Sequence, residues 1–256
     1  MSFFKKALAS FGVGAAKVDT ILDRSNVRVG DTITGRVEIV GGDVAQQIDA
    51  ISLVLYTSYT KELNDSKYEE DVVLQNIRVS EPFTINANEQ KAIPFSFNLP
   101  FDTPITMGKT RVWVHTGLDI AMAIDPTDKD YLSVEPTMLA SDVLNAVQSL
   151  GFRLREVECE AAPPRFRQHY PFVQEFEFVP TSGPFRGHLD EFEVLFLAQS
   201  AHSVELLLQI DRKVRGLSSL FAEALDMDES FVRLSVTTAD VPHLKSKLEQ
   251  AIRQHI

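Results

Sequence analysis

An alternation of apolar and polar residues, repeated in segment after segment, is the feature that most restricts the fold of this chain. Ile33, Val37 and Ile39 alternate with polar residues such as Thr34 and Glu38. Because successive side chains of a strand point to opposite faces, this period of two predicts antiparallel sheets with one buried face. Many such strands separated by polar turns favour β-sandwiches. The same pattern recurs at Ile51, Leu53 and Leu55, at Ile93, Phe95, Phe97 and Leu99, and at every second residue from Val112 to Ile124.

The period changes to that of a helix in three places. Near the start, Phe3, Phe4, Leu8 and Phe11 fall on one face, opposite Lys5 and Lys6. An apolar stripe from Leu139 to Leu150 ends at Gly151, which is typical of a helix C-terminus. A third stripe carries Leu244, Leu248 and Ile252 and follows Pro242, a residue favoured at the first turn of a helix. The pattern therefore predicts short N-terminal, interdomain and C-terminal helices.

Strand patterns resume after the middle helix, where Phe176 and Phe178 alternate with Glu175 and Glu177. We therefore predict a mainly β chain with two consecutive β-sandwich domains. Residues 1–16 form an N-terminal amphipathic helix and hinge, and residues 17–133 form the N-terminal sandwich, whose first strand starts at Lys17. Residues 134–256 form the C-terminal sandwich, which includes helix 138–150 and helix 242–255. The later strands are indicated by Phe192, Val194 and Phe196, by Val204, Leu206, Leu208 and Ile210, and by Val232, Leu234 and Val236.

Charge and cysteine content restrict the possible partners. The formal net charge is −11, and an acidic surface repels nucleic-acid phosphates, so we expect no nucleic-acid partner. The basic run from Arg212 to Arg215 is too short to change this. Cys159 is the only cysteine, which excludes an intrachain disulfide and a cysteine-cluster metal site. This is consistent with a reducing environment, and we expect a cytoplasmic protein.

The opening residues allow several interpretations. Ser10, Gly12 and Gly14 interrupt the apolar run that a signal peptide needs. The Gly12–Gly14 pair lies between a helix and a strand, which is the reverse of the order in a dinucleotide-binding loop. The remaining interpretation is an amphipathic helix that packs on its own domain or on a partner. The alternative is weak attachment to an anionic membrane surface through residues 1–11, to which two lysines contribute only about 2 kcal/mol.

A search for catalytic chemistry finds no specific motif. Gly108-Lys109-Thr110 lacks the earlier glycine of a phosphate loop, and a strand follows it. The acidic loops around Asp128 and Asp228 lack the glycine of a calcium-binding EF loop. His188 and Asp190 share one face of a strand, as a pair of metal ligands would, but the sequence does not supply a third ligand. We predict no catalytic, cofactor-binding or metal-binding residues, and keep a metal-dependent enzyme as an alternative.

The first sixty residues resemble a known family. The stretch Phe11 to Thr20 reads Phe-Gly-Val-Gly-Ala-Ala-Lys-Val-Asp-Thr, Gly35 to Gly42 follows a Gly-x-Val-x-Ile-x-Gly-Gly pattern, and Gln47 to Asp49 reads Gln-Ile-Asp. These segments resemble the SpoOM family of sporulation-control proteins, closely over residues 1 to about 135 and in general layout beyond. The resemblance implies an arrestin-like fold of two β-sandwiches and an intracellular adaptor or regulator with no enzyme activity.

Together, these observations predict a non-enzymatic intracellular adaptor that acts by binding other proteins, of unknown identity, and needs no cofactor. Sheet edges, the interdomain groove and the terminal helices are the candidate docking surfaces. A homodimer is also compatible with two exposed amphipathic ends. The alternative is a scaffold held at a membrane by the N-terminal helix. The candidate partner-binding residues are Phe3, Phe4, Leu8, Phe11, Leu244, Leu248 and Ile252.

Overall fold

The computed structural model describes residues 15–63, 66–120, 125–164, 166–211 and 231–255. Its N-terminal half contains β1 (Lys17–Leu22), β2 (Asn26–Arg28), β3 (Thr32–Val40), β4 (Gln46–Leu63), β5 (Ser66–Arg78), β6 (Phe83–Ile85), β7 (Gln90–Asn98), β8 (Val112–Ile120) and β9 (Thr127–Glu135). Its C-terminal half contains α1 (Met138–Ser149), β10 (Phe152–Ala161), β11 (Phe172–Pro180), β12 (Glu191–Gln199), β13 (Ser203–Asp211), β14 (Phe231–Thr237) and α2 (Leu244–Arg253). Two 3-10 turns, Gly183–Phe185 and Thr238–His243, precede β12 and α2.

The N-terminal half is a sandwich of two sheets. One sheet has the strand order β1-β3-β7, and the other contains β4, β8, β9 and β2 in that order, with β5 and β6 also paired to β4. The alternating residues predicted to face inward do so, since Ile33, Val37 and Leu53 are fully buried. The period of two therefore identified the core-facing positions of these strands correctly.

Strand β4 connects the two halves of the molecule. It is 18 residues long, and its far end lies beside β10, where Thr60 pairs in parallel with Glu160. The pairing joins the strands of both halves into one sheet of eleven strands, with β5 and β6 branching from β4. Buried apolar residues of both halves accordingly share one large core. A second, smaller cluster of buried apolar residues lies on the other face of the C-terminal sheet and contains Ala162, Phe166, Val173, Leu195, Leu197 and Leu207.

The C-terminal half contains a single antiparallel sheet, β10-β11-β12-β13-β14, among the described residues. Within the described ranges, α1 and α2 cover one face of this sheet, because their apolar stripes pack against its phenylalanine-rich side. Helix α1 begins as predicted, with Thr137 Oγ1 accepting a hydrogen bond from Ala140 N at 3.1 Å. The mainly β character of the chain is confirmed.

The loop between β7 and β8 holds the halves together. The buried side chain of Gln174 on β11 accepts a hydrogen bond from Ile105 N at 2.9 Å and donates to Ile105 O at 2.8 Å and to Thr110 Oγ1 at 3.2 Å. Gly108, with a φ of +61°, lies so close to β10 that a Cβ there would be 2.5 Å from Val157 O. These contacts place the next residue, Lys109, against the outer face of the C-terminal sheet.

None of the helices in the described ranges is both long and apolar enough to cross a bilayer.

Candidate functional site: a glutamate-lined face of the C-terminal sheet

The structure separates the predicted docking residues into two groups. Phe3, Phe4, Leu8 and Phe11 lie outside the described residues. Leu244, Leu248 and Ile252 on α2 are buried in the core, where α2 packs against α1. The C-terminal candidate is therefore corrected: this apolar stripe is covered by the protein's own core and, as packed, does not face a partner.

The metal-pair candidate is exposed. His188 and Asp190 flank the buried Leu189 in the turn before β12, and both side chains face solvent. Within the described ranges, no three His, Cys, Asp or Glu residues are grouped so that they could hold a metal ion.

The acidic loop that leads into β9 has a structural role. Asp128 Oδ2 accepts a hydrogen bond from Thr20 N at 2.7 Å, and Asp125 Oδ1 accepts one from Ile120 N at 3.0 Å. These carboxylates therefore satisfy backbone donors at a strand edge and a turn. The second acidic loop, around Asp228, lies outside the described residues.

A row of aromatic side chains crosses the outer face of the N-terminal sheet. Tyr56 stacks on Trp113 with ring centroids 5.7 Å apart, and Trp113 lies 6.2 Å from Tyr131. The ammonium of Lys129 lies 4.1 Å from the Trp113 ring centroid. Because Lys129 and the neighbouring rings cover Trp113, the row is a set of cross-strand contacts that stabilises the sheet.

The most unusual surface is formed by glutamates on three neighbouring strands of the C-terminal sheet. On the outer face, Glu158 pairs across from Glu175, Glu156 from Glu177, and Glu177 from Glu193. Side chains directly opposite in an antiparallel pair lie close together, so this register gathers the carboxylates into one group. We call this group the glutamate face; it consists of Glu156, Glu158 and Glu160 on β10, Glu175 and Glu177 on β11, and Glu191 and Glu193 on β12.

Three basic side chains compensate part of this charge. Lys109 Nζ donates to Glu156 Oε1 at 2.8 Å and also bonds Glu158. Lys67 Nζ lies 3.5 Å from Glu160 Oε1. Each of these glutamates therefore has a cationic neighbour.

The third basic side chain, Arg155, forms ion pairs with glutamates of the other two strands. It pairs with Glu177 on β11 and with Glu191 on β12. Five of the seven glutamates on the face consequently have a basic partner.

Glu175 and Glu193 have no basic partner among the described residues. They are buried, with 8% and 2% of their surface exposed, and they lie diagonally across the β11–β12 pair, where each carboxyl group acts on the pKa of the other. Among the described residues, carboxyl oxygen Oε2 of Glu193 makes no hydrogen bond, and neither does Oε1 of the buried Gln209 across from it on β13. Burying a polar atom without a hydrogen bond costs free energy. These two oxygen atoms could therefore accept hydrogen bonds from a ligand.

The electrostatics of the pair follow from burial and like charge. Burial raises the pKa of Glu193 far above the usual range of a glutamate, and the charge of Glu175 raises it further. Burial also raises the pKa of Glu175, and the charge of Glu160 adds to this effect. The pair therefore retains a proton at a pH where exposed glutamates are ionised.

A cavity of about 260 Å³ opens beside the pair. Glu175 lines this cavity, whereas Glu193, its diagonal neighbour on β12, does not. The volume is several times the share of one water, ~30 Å³. It is smaller than the roughly 300–1,000 Å³ of typical small-molecule sites. The other lining residues are Lys67, Lys109, Glu156, Glu158, Glu160 and Glu177.

Sequence reasoning missed this face although a signal was present. Glu175 and Glu177 were predicted on the face opposite Phe176 and Phe178, and that orientation is confirmed. Glutamates at every second position also occur in the strands on either side, at residues 156–160 and 191–193. Three consecutive antiparallel strands with this spacing indicate a cluster on one face. The burial of the cluster depends on residues distant in the chain, which the pattern does not contain.

A family model, a sequence relative and a solved structure all match the chain to the same family. The model of the family described as SpoOM protein matches residues 4–214. The chain is 43% identical over 258 aligned residues to the sporulation-control protein spo0M of Bacillus subtilis strain 168, and the alignment covers 100% of this chain and 99% of that one. The crystal structure of Spo0M, sporulation control protein, from Bacillus subtilis superposes with a TM-score of 0.87 at 38% identity, covering 95% of this chain and 100% of the other. The chain therefore belongs to the SpoOM family of sporulation-control proteins.

Proposed function

We propose that this protein is a non-enzymatic regulatory adaptor of the cytoplasm, and that it docks a lysine- or arginine-rich segment of a protein partner on its glutamate face. The observation that carries the proposal is the buried Glu175–Glu193 pair, which lacks a cation among the described residues while its neighbours have one. Membership of a family of sporulation-control proteins supports the regulatory role.

Charge complementarity favours a basic segment over other partners. With every group ionised, the seven glutamates exceed the three basic side chains of the face by four negative charges, since seven minus three is four. Such a field attracts basic segments and repels acidic ones. A lysine or arginine side chain that enters the cavity would supply the cation that Glu175 lacks.

The chemistry of the face also favours binding over catalysis. Cys159 lies in the same strand as the glutamates of β10 but points into the core. Burial raises the pKa of its thiol to about 12, so the thiol stays protonated and is a poor nucleophile. The groups that line the cavity are carboxyl groups and two lysines, and both lysines are held in ion pairs with glutamates.

A direct binding measurement tests the proposal. A fluorescein-labelled hexa-arginine peptide with blocked ends serves as the probe, and its anisotropy is followed at physiological ionic strength. We expect Glu175→Gln to weaken binding about tenfold or more, since truncating one partner of a buried charge pair costs roughly 2–5 kcal/mol.

The matched control is Glu81→Gln, which removes a carboxylate that is 87% exposed in the N-terminal half. This variant should bind the peptide as the wild type does. Equal affinity of the wild type and Glu175→Gln, or equal binding of a hexa-glutamate peptide, would show that the glutamate face is not the docking surface.

A further inference from the structure

We propose that docking of a cationic side chain expels the proton shared by Glu175 and Glu193, so that the affinity of the glutamate face rises with pH. This inference rests on the proposed function, because it concerns the same surface and the same basic segment. It adds a means of regulation, because the surface must release a proton before it can bind the cationic side chain of a partner.

The proton is held by the geometry of the pair. The two carboxyl groups face each other diagonally from neighbouring strands, and Glu193 Oε2 has no hydrogen-bond partner among the described residues. Two buried carboxylates in contact do not both ionise, because each disfavours the charge of the other. One proton between them removes this repulsion while no cation is present.

Acidic and polar groups of the described neighbouring strands surround the protonated pair. Glu177 lies opposite Glu193 on β11, Glu191 lies two residues away on β12, and Gln209 lies opposite on β13. From β10, Glu158 lies opposite Glu175. Among the described residues, the basic groups nearby are already engaged: Lys109 with Glu156 and Glu158, Lys67 with Glu160, and Arg155 with Glu177 and Glu191.

A guanidinium or ammonium group in the cavity favours the ionised form of Glu175 over the protonated form. Glu175 lines the cavity, so an incoming cation meets its carboxyl group before that of Glu193. The cation stabilises the ionised form of Glu175, and the proton leaves for the solvent. One positive charge enters and one proton leaves, so the net charge of the buried site is unchanged.

Isothermal titration calorimetry measures this exchange. The unlabelled, end-blocked hexa-arginine peptide is titrated into the full chain near neutral pH in two buffers of different ionisation enthalpy, at constant ionic strength. Arginine does not titrate in this range, so any buffer-dependent heat reports protons from the protein. We expect a release approaching one proton per peptide, and an affinity that rises by up to about tenfold per pH unit.

Variants separate this exchange from general electrostatics. Glu175→Gln removes the ionisable group at the cavity, so both the proton release and the rise of affinity with pH should be lost. Glu81→Gln should keep both.

The outcomes distinguish the inference from the proposed function. If the peptide binds the wild type with the expected preference over Glu175→Gln but releases no proton, the docking surface stands and the proton exchange is wrong. If the wild type and Glu175→Gln bind alike, both are wrong. A parallel titration with calcium and potassium chloride is included. Proton release by either salt and none by the peptide would assign the site to an inorganic cation and overturn the inference.

Discussion

Glu175 and Glu193 lie diagonally opposite each other on the neighbouring strands β11 and β12, and both are buried without a basic partner in the described part of the chain. Every other member of the glutamate face contacts Lys67, Lys109 or Arg155. This difference within one cluster is the basis of the proposed docking site. It also has consequences for stability that can be measured without a partner.

The first prediction concerns the pH dependence of stability. Since burial raises the pKa of both glutamates, the folded state binds more protons than the unfolded state above the ordinary glutamate pKa of about 4.3. The free energy of unfolding should therefore fall as pH rises from about 5 through the neutral range, by at most ~1.4 kcal/mol per pH unit for each group. Urea denaturation at several pH values measures this slope.

Glu193→Gln is the variant that tests the assignment. It keeps the shape of the side chain and removes the ionisation, so the slope should flatten and the variant should be more stable than the wild type at alkaline pH. A slope that is unchanged in Glu193→Gln would show that Glu193 does not carry the protons.

A second prediction concerns Gly108, which brings the β7–β8 loop against β10. Its φ of +61° disfavours other residues, and an added Cβ would lie 2.5 Å from Val157 O. We expect Gly108→Ala to lower the free energy of unfolding by about 1–3 kcal/mol. In Gly117→Ala the new Cβ has no neighbour within 4 Å, so the change should be within about 1 kcal/mol of the wild type. Similar losses in both variants would contradict the close approach at Gly108.

The sequence pattern predicts which face of a strand is apolar, but it does not predict which polar residues become buried. The period of two identified the buried residues of β3 and β4, such as Val37 and Leu53, because a strand's own residues determine which face is apolar. The same pattern placed Glu175 on the opposite face correctly but did not show its burial. That burial depends on the packing of residues far apart in the chain, and Lys109, which reaches the face from the other half, is more than sixty positions away.

The apolar stripe of α2 is a second feature whose role depends on distant residues. Its apolar stripe was a good indicator of a helix, but a stripe does not say what covers it. In the structure, α1 and the sheet do so. We therefore predict that Leu248→Ala destabilises the protein by about 2–5 kcal/mol, as expected for a core leucine. Lys245→Ala, on the exposed side of the same helix, should change stability by less than about 0.5 kcal/mol. If Leu248→Ala unfolds like the wild type, the stripe is not part of the core.

A fourth prediction compares two buried glutamines. Gln174 makes three hydrogen bonds to the β7–β8 loop, whereas no hydrogen bond reaches Oε1 of Gln209. Gln174→Leu leaves a buried backbone N–H and a carbonyl unpaired, so we expect a loss of about 2–4 kcal/mol. Gln209→Leu removes a polar group that is already unpaired and should be neutral or stabilising. Thermal or urea unfolding of both variants decides this; equal destabilisation would contradict the bonding described for Gln174.

The inferred exchange, in which a cation displaces a proton from the Glu175–Glu193 pair, can be followed at the two carboxyl groups. The most direct measurement is a pH titration of the glutamate side-chain carboxyl carbons by ¹³C NMR, with and without the hexa-arginine peptide, using Glu175→Gln and Glu193→Gln to assign the two signals. In the free protein we expect the pair to show a titration step well above that of the other glutamates, and we expect this step, followed at the signal of Glu175, to move to lower pH when the peptide is bound. Titration of both groups with the exposed glutamates, or no movement on addition of the peptide, would contradict it.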